Sequence, residues 1–186
     1  MAITKAELLI AVNKICKRAE TDIDDILLEA LQEISNHTLC LKTSTTGNTT
    51  AGVAYIAKPT GFNSGNIIDG LIVNDVKIKP ISWQQYLSGH FDGYCVYGDY
   101  IYIYPTNTSA VAYTIYFPRI HPSDLNSILF SDDYRAAVKH LTAAKLYEKY
   151  ERYEEVSAQL TLYEVALGKV GTNSVPPICS YNGQEM

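Results

Sequence analysis

Hydrophobic positions in this chain change period twice. From about Thr4 to His37 apolar residues recur at the spacing of one face of a helix. Leu8, Val12, Ile15 and Ala19 share one such face, and Ile23, Ile26, Leu27, Ala30, Leu31 and Ile34 form a second stripe. Thr4 followed by Glu7 has the form of a capping box, in which each side chain satisfies a free amide of the first turn. Thr21 and Asp22 restart the pattern, and Asp24 and Asp25 suit the positive end of a helix. Two short helices, or one bent near Glu20, fit equally.

The middle of the chain alternates at period two. Val53–Ala57, Ile67–Val73, Val76–Ile78, Gly93–Tyr97, Tyr100–Tyr104 and Val111–Phe117 predict strands. Asn74-Asp75 and Gly98-Asp99 separate their neighbours too briefly for a parallel crossover, which takes about a dozen residues, so they predict antiparallel hairpins. Pro105 removes a ladder donor and ends its strand. TSTTGNTTAG (43–52) and TGFNSGN (60–66) predict polar loops.

Helical spacing returns from about Asp133 to Val170. Tyr134, Ala137, Val138, Leu141 and Ala144 form one stripe, and Val156, Leu160, Tyr163, Leu167 and Val170 another, with a charged turn near Glu151–Glu155 between them. Ser131 or Asp132 is placed to cap the first of these helices, and Gly171 to stop the second. The fold class is α+β: a bundle of N- and C-terminal helices (4–37 and 133–170) with an inserted antiparallel β subdomain (about 53–117). Residues 1–170 are predicted as one domain and 171–186 as an extended C-terminal tail.

Composition narrows the chemistry. With 186 residues, 47% of them hydrophobic and 19% charged, the chain can bury a core without metal or disulfide. The net charge of −5 and the lack of a basic run argue against a nucleic-acid grip. The four cysteines (Cys16, Cys40, Cys95, Cys179) show neither zinc nor disulfide-framework spacing and predict reduced thiols in a cytosolic setting. The opening MAITKAELLIAVNKICKRAE carries charge in every turn, which fits neither a signal peptide nor a membrane span. His37, His90, His121 and His140 are predicted as surface or interface residues, since none has a ligand-spaced partner. Asp24-Asp25 and Asp132-Asp133 read as helix-end residues. Phosphate-loop and nucleophile-elbow motifs are absent from the sequence, so it predicts no catalytic residue, no metal and no cofactor.

Tyrosine is the exception to this plainness. Seven of fifteen lie between Tyr94 and Tyr116, and Tyr100, Tyr102 and Tyr104 alternate with Ile101 and Ile103. A strand puts these two sets on opposite faces. Three uses of the tyrosine face stay open: a half-buried sheet surface, an interface with a neighbouring subunit, or a stacking platform for sugars or bases, the bases disfavoured by the lack of clustered Arg or Lys. Within the tail, Val175, Pro176, Pro177, Ile178 and Tyr181 form an apolar group suited to docking on another protein.

The order of these elements resembles the head–tail adaptor (connector) proteins of tailed bacteriophages, from about Glu7 to Val170. After the helical opening comes Tyr55-x-x-x-Pro59-x-x-Phe62, similar to the family's strand that ends in a proline before an aromatic. Pro80-Ile81-Ser82 with Tyr86 is similar to a link between its middle strands. Gly98, Ile101, Ile103 and Pro105 match its glycine turn, apolar strand and closing proline, and Tyr113–Phe117 its next strand. Ala143-Ala144-Lys145-Leu146-Tyr147-Glu148 resembles the start of its helical pair, with Tyr163 in the second helix. Thr60-Gly61 departs from the acidic residue often found before the aromatic.

The resemblance implies a non-enzymatic virion protein at the head–tail junction, assembled in the host cytoplasm. It also implies a homo-oligomeric ring, usually of twelve copies, between the portal protein and a tail or stopper protein, through which DNA passes without sequence-specific binding. Tyr100, Tyr102 and Tyr104 would then lie at a subunit interface and Val175–Tyr181 on the portal.

Overall fold

The computed structural model of this chain describes residues 3–62 and 68–174. Five helices and seven strands occur among them. In chain order these are α1 (Lys5–Cys16), α2 (Asp24–Thr38), β1 (Lys42–Asn48), β2 (Tyr55–Ala57), β3 (Gly70–Val73) and β4 (Val76–Ile78). There follow α3 (Trp83–Ser88), β5 (Gly93–Tyr97), β6 (Tyr100–Tyr104), β7 (Ala112–Pro118), α4 (Arg135–Lys149) and α5 (Tyr153–Ser174). The chain divides into two compact units, one of residues 1–33 with 123–186 and one of residues 34–122.

The first unit is a helical bundle built from both ends of the chain. The capping box at its start is formed: the Thr4 hydroxyl accepts from the Glu7 amide at 3.3 Å, and the Glu7 carboxylate accepts from the Thr4 amide at 3.3 Å. Two helices, not one bent helix, follow. Lys17 adopts the left-handed conformation at the end of α1, and the Asn13 side chain then bonds Glu20 twice, at 2.8 and 3.0 Å, pinning the connection. Asp22 accepts from the Asp24 amide at 2.9 Å and so starts α2. Leu8, Val12, Leu27, Leu31, Val138, Leu141 and Leu146 are fully buried. Each such side chain contributes roughly 1.5–3 kcal/mol, which holds helices too short to persist alone. Lys145 on α4 joins Glu29 and Glu33 on α2 at 2.6 and 2.7 Å. Burial pulls its pKa down, and the hydrogen bonds to the two carboxylates outweigh that and raise it overall.

Three expectations for this unit are corrected. Ser131 occupies the cap position of a 3₁₀ turn, Asp132–Tyr134, but its side chain makes no capping hydrogen bond there. Asp132 is drawn instead to Arg135 at 2.6 Å, a stronger, charge-assisted partner. Helix α5 runs through Gly171 to Ser174, because one glycine costs a helix only about 1 kcal/mol. Leu160, expected on the buried stripe, lies at its margin and is 38% exposed, while Tyr163, Ala166 and Val170 are buried.

The second unit pairs two antiparallel sheets, of order β1-β7-β3-β4 and β2-β6-β5. Leu71, Val73, Ile115 and Phe117 from one sheet, and Ile56, Tyr94, Ile101 and Ile103 from the other, form a single core cluster. Phe62 of the Tyr55…Pro59…Phe62 motif packs on this cluster, its ring 5.4 Å from that of Phe117. Both expected hairpins form. Asn74 and Asp75 have φ of 50° and 62°, as a tight two-residue turn between right-twisted strands requires, and Gly98 has φ of 55°.

Two elements here differ from expectation. Residues 43–52, expected as a polar loop, begin with most of strand β1, which pairs with β7 in the register Thr45↔Ile115. Neither face of β1 is buried, so it needs no hydrophobic alternation; β-branched threonine suits it, and β7 supplies the ladder. Helix α3 was not foreseen in the Pro80–Tyr86 link. Its signal is a second capping box, with Ser82 and Gln85 bonding each other's amides at 3.1 and 2.8 Å.

Candidate docking surface

On β6 the alternation places the isoleucines inward, with Ile101 and Ile103 in the core. Tyr100, Tyr102 and Tyr104 occupy the opposite side, and helix α3 adds Trp83 and Tyr86 to them. The Trp83 indole stacks on Tyr97 at 4.5 Å and on Tyr86 at 5.3 Å, and meets Tyr102 edge-on at 5.1 Å. Tyr55 of β2 meets Tyr100 at 4.7 Å and Tyr102 at 5.9 Å. Tyr86 reaches Tyr104 at 6.4 Å with the rings perpendicular. Seven aromatic rings thus make one continuous layer over the outer face of the sheet β2-β6-β5. Pairs of this kind contribute about 0.5–1.5 kcal/mol each beyond area burial.

The layer is unevenly covered. Tyr102, Tyr104, Trp83 and Tyr86 are half-buried, whereas Tyr55, Tyr97 and Tyr100 are 45%, 56% and 41% exposed. Leu87 and Phe91, at and beyond the end of α3, are exposed as well. Cys95 is buried on the strand neighbouring Tyr102. Burial pushes its thiol pKa up, and burial likewise raises that of Tyr86. A thiol held protonated under aromatic rings packs as a small apolar group and is a poor nucleophile. Gly93 on β5 lets the backbone of the 79–81 segment approach, since a Cβ there would lie 2.6 Å from the Lys79 carbonyl oxygen.

Such a surface can bury aromatic area against another polypeptide. It offers little to a sugar, because the stacking of its one indole is taken up by tyrosines of the same chain. Among the described residues, no group of three or more His, Cys, Asp and Glu is arranged to hold a metal.

The sequence-predicted residues separate accordingly. Tyr100, Tyr102 and Tyr104 come together in the aromatic layer. Val175, Pro176, Pro177, Ile178 and Tyr181 lie outside the described residues. Trp83, Tyr86, Tyr55 and Tyr97 were missed as members of the layer; the Ser82-x-x-Gln85 capping signal ahead of Tyr86 could have revealed the helix that carries two of them. His37 and His90 are exposed as expected. His121 is a correction: it is buried, its Nδ1 2.8 Å from the Pro122 carbonyl oxygen and its amide donating to Ser35 Oγ at 3.1 Å. His140 is half-buried, with Nδ1 2.8 Å from Gln159 Oε1, and burial lowers its pKa.

No helix among the described residues is long and apolar enough to cross a membrane. A search of curated proteins finds no match. The model of the family described as "SU10 adaptor protein" matches residues 3–177, which takes in both units. The chain therefore belongs to this family of bacteriophage head–tail adaptors, which makes it a structural component of the virion that associates with other virion proteins.

Proposed function

We propose that the chain forms a ring, of twelve copies as the family resemblance implies, that joins the portal vertex to the tail and lets the genome pass. The family match over residues 3–177 carries this reading. The bundle would supply the ring body and the β unit the contacts to neighbouring subunits or the tail. Tyr100, with Tyr55 and Tyr97 beside it, supports a subunit interface, since tyrosine is favoured in interface cores and these three are left open to solvent. The net charge of −5 suits a conduit wall on which DNA slides without adhering. The role is structural, without catalytic turnover.

Electron microscopy of particles carrying this chain tests the reading. Density for a twelve-fold ring at the portal vertex is the expected result, and a location elsewhere in the particle would overturn it. Docking of Val175–Tyr181 on the portal is tested separately by deleting residues 175–186. Attachment to portal-bearing heads is expected to be lost while the circular dichroism spectrum is kept; unchanged attachment would refute the docking.

A further inference from the structure

We infer that β1 is a docking edge to which a second virion protein adds an extended, uncharged segment as a further strand of the sheet β1-β7-β3-β4. The inference rests on the adaptor reading above. It begins with the phase of the ladder. Arg119 donates to the Leu41 carbonyl at 2.8 Å and Thr49 to the Val111 carbonyl at 2.9 Å, on either side of the β1–β7 register. Antiparallel pairs alternate, so the odd residues of β1 bond to β7, while Lys42, Ser44, Thr46 and Asn48 turn their amides and carbonyls away from the sheet. No described hydrogen bond takes up the outward groups of Ser44 or Thr46.

The other sheet edges are closed or short. Strands β2 and β4 have three residues each. On β5, Tyr94 already donates to the Lys79 carbonyl at 2.9 Å and accepts from the Ile81 amide at 2.8 Å. β1 is seven residues long, and after Lys42 it has no charge and no proline, the usual devices that keep an edge from pairing.

The chemistry specifies the occupant. Outward donors and acceptors repeat every two residues, about 6.8 Å, a spacing that an extended polypeptide matches. Thr43–Asn48 offers no counter-charge, so an uncharged segment fits best. A sheet edge of a second copy is a poor source of that strand. The short edges of a copy cannot span β1, and β1 pairing with β1 would create a two-fold pair instead of a cyclic ring.

The test exploits the phase. Ser44→Pro and Thr46→Pro together remove outward donors only and leave the β7 ladder intact; Ser44→Ala with Thr46→Ala is the control. Tail attachment to heads carrying the proline pair is expected to fall about tenfold or more, and with the alanine pair to stay near wild type. Attachment by a folded proline variant at the wild-type level would overturn the inference. Should the proline pair fail to fold, hydrogen exchange on the unaltered chain decides. The outward amides of Ser44, Thr46 and Asn48 are expected to exchange freely in the purified chain and its homo-oligomer, and about tenfold or more slowly in tailed particles. Free exchange in tailed particles would overturn the inference, and so would protection already present in the homo-oligomer, which would make the occupant a second copy. A chain that microscopy places at the junction but whose outward β1 amides exchange freely would sink this inference alone; a chain absent from the junction would sink the adaptor reading.

Discussion

The helical bundle buries a leucine-rich core but leaves Ile10, Tyr153, Leu162 and Val165 open to solvent, whereas the β unit joins its exposed tyrosines to an aromatic layer. In the bundle Leu8, Val12, Leu27, Leu31, Leu141 and Leu146 are buried, and Lys145, 13% exposed, is gripped by two carboxylates. The β unit has a complete core of its own around Leu71, Ile101 and Ile115, and in addition displays Tyr55, Tyr97, Tyr100 and an unpaired strand edge. Each unit therefore holds two kinds of residue that look alike by composition, those packed in its core and those left to water, and in the β unit the second kind is ordered into an aromatic layer.

Substitutions can break or sharpen that contrast. The largest effect is expected from Leu141→Ala, which empties the bundle core and should destabilise it by about 2–5 kcal/mol, seen as an early loss of helical ellipticity on heating. A change below about 1 kcal/mol would mean that the bundle is less tightly packed than its burial indicates. Next comes Gly93→Ala. The added methyl would meet the Lys79 carbonyl and Ile81 at 2.6 Å, so the β unit should lose about 1–3 kcal/mol, measured by chemical denaturation followed through Trp83 fluorescence. Tyr97→Ser with Tyr100→Ser should shift stability by about 1 kcal/mol each and yet reduce oligomer formation in sedimentation. Strong destabilisation without an assembly defect would place these rings with the core.

The smallest effect is a pH dependence in the bundle. His140 is held neutral by burial, its folded pKa below the unfolded value of about 6.5. As pH falls below that value the unfolded chain takes up the proton first, so His140 contributes stability above about pH 6.5 that is lost on acidification. His140→Gln should flatten the decline in melting temperature between about pH 7 and pH 5. An unchanged slope would assign the acid sensitivity to other groups.

What the sequence disclosed follows the same division. Helices α1, α2, α4 and α5 were legible because each buries one stripe, and the stripe is written at the helical period. Strand β6 was legible because Ile101 and Ile103 face a core and the tyrosines do not. β1 was not legible: its outward neighbours are solvent and its inward side is only half covered, so Thr, Ser and Gly carry no hydrophobic signal. α3 has six residues and no buried position, and only its cap betrays it. The aromatic layer was half legible, since the three tyrosines of β6 are adjacent in sequence while Tyr55, Trp83 and Tyr86 join them only through pairing and packing. His121 shows the opposite failure, a polar residue buried because a backbone carbonyl and Ser35 are there to satisfy it.

The bundle's discontinuity has a consequence for biosynthesis. Residues 34–122 are contiguous, so the ribosome releases every strand of the β unit before α4 emerges. The first helix, by contrast, must wait for partners such as Tyr147, whose hydroxyl donates to the Ile15 carbonyl at 2.9 Å. At roughly 5–20 residues per second this delay lasts several seconds. During that interval the nascent N-terminal helix holds its apolar side without a mate, and the order in which the two units mature is built into the chain's connectivity.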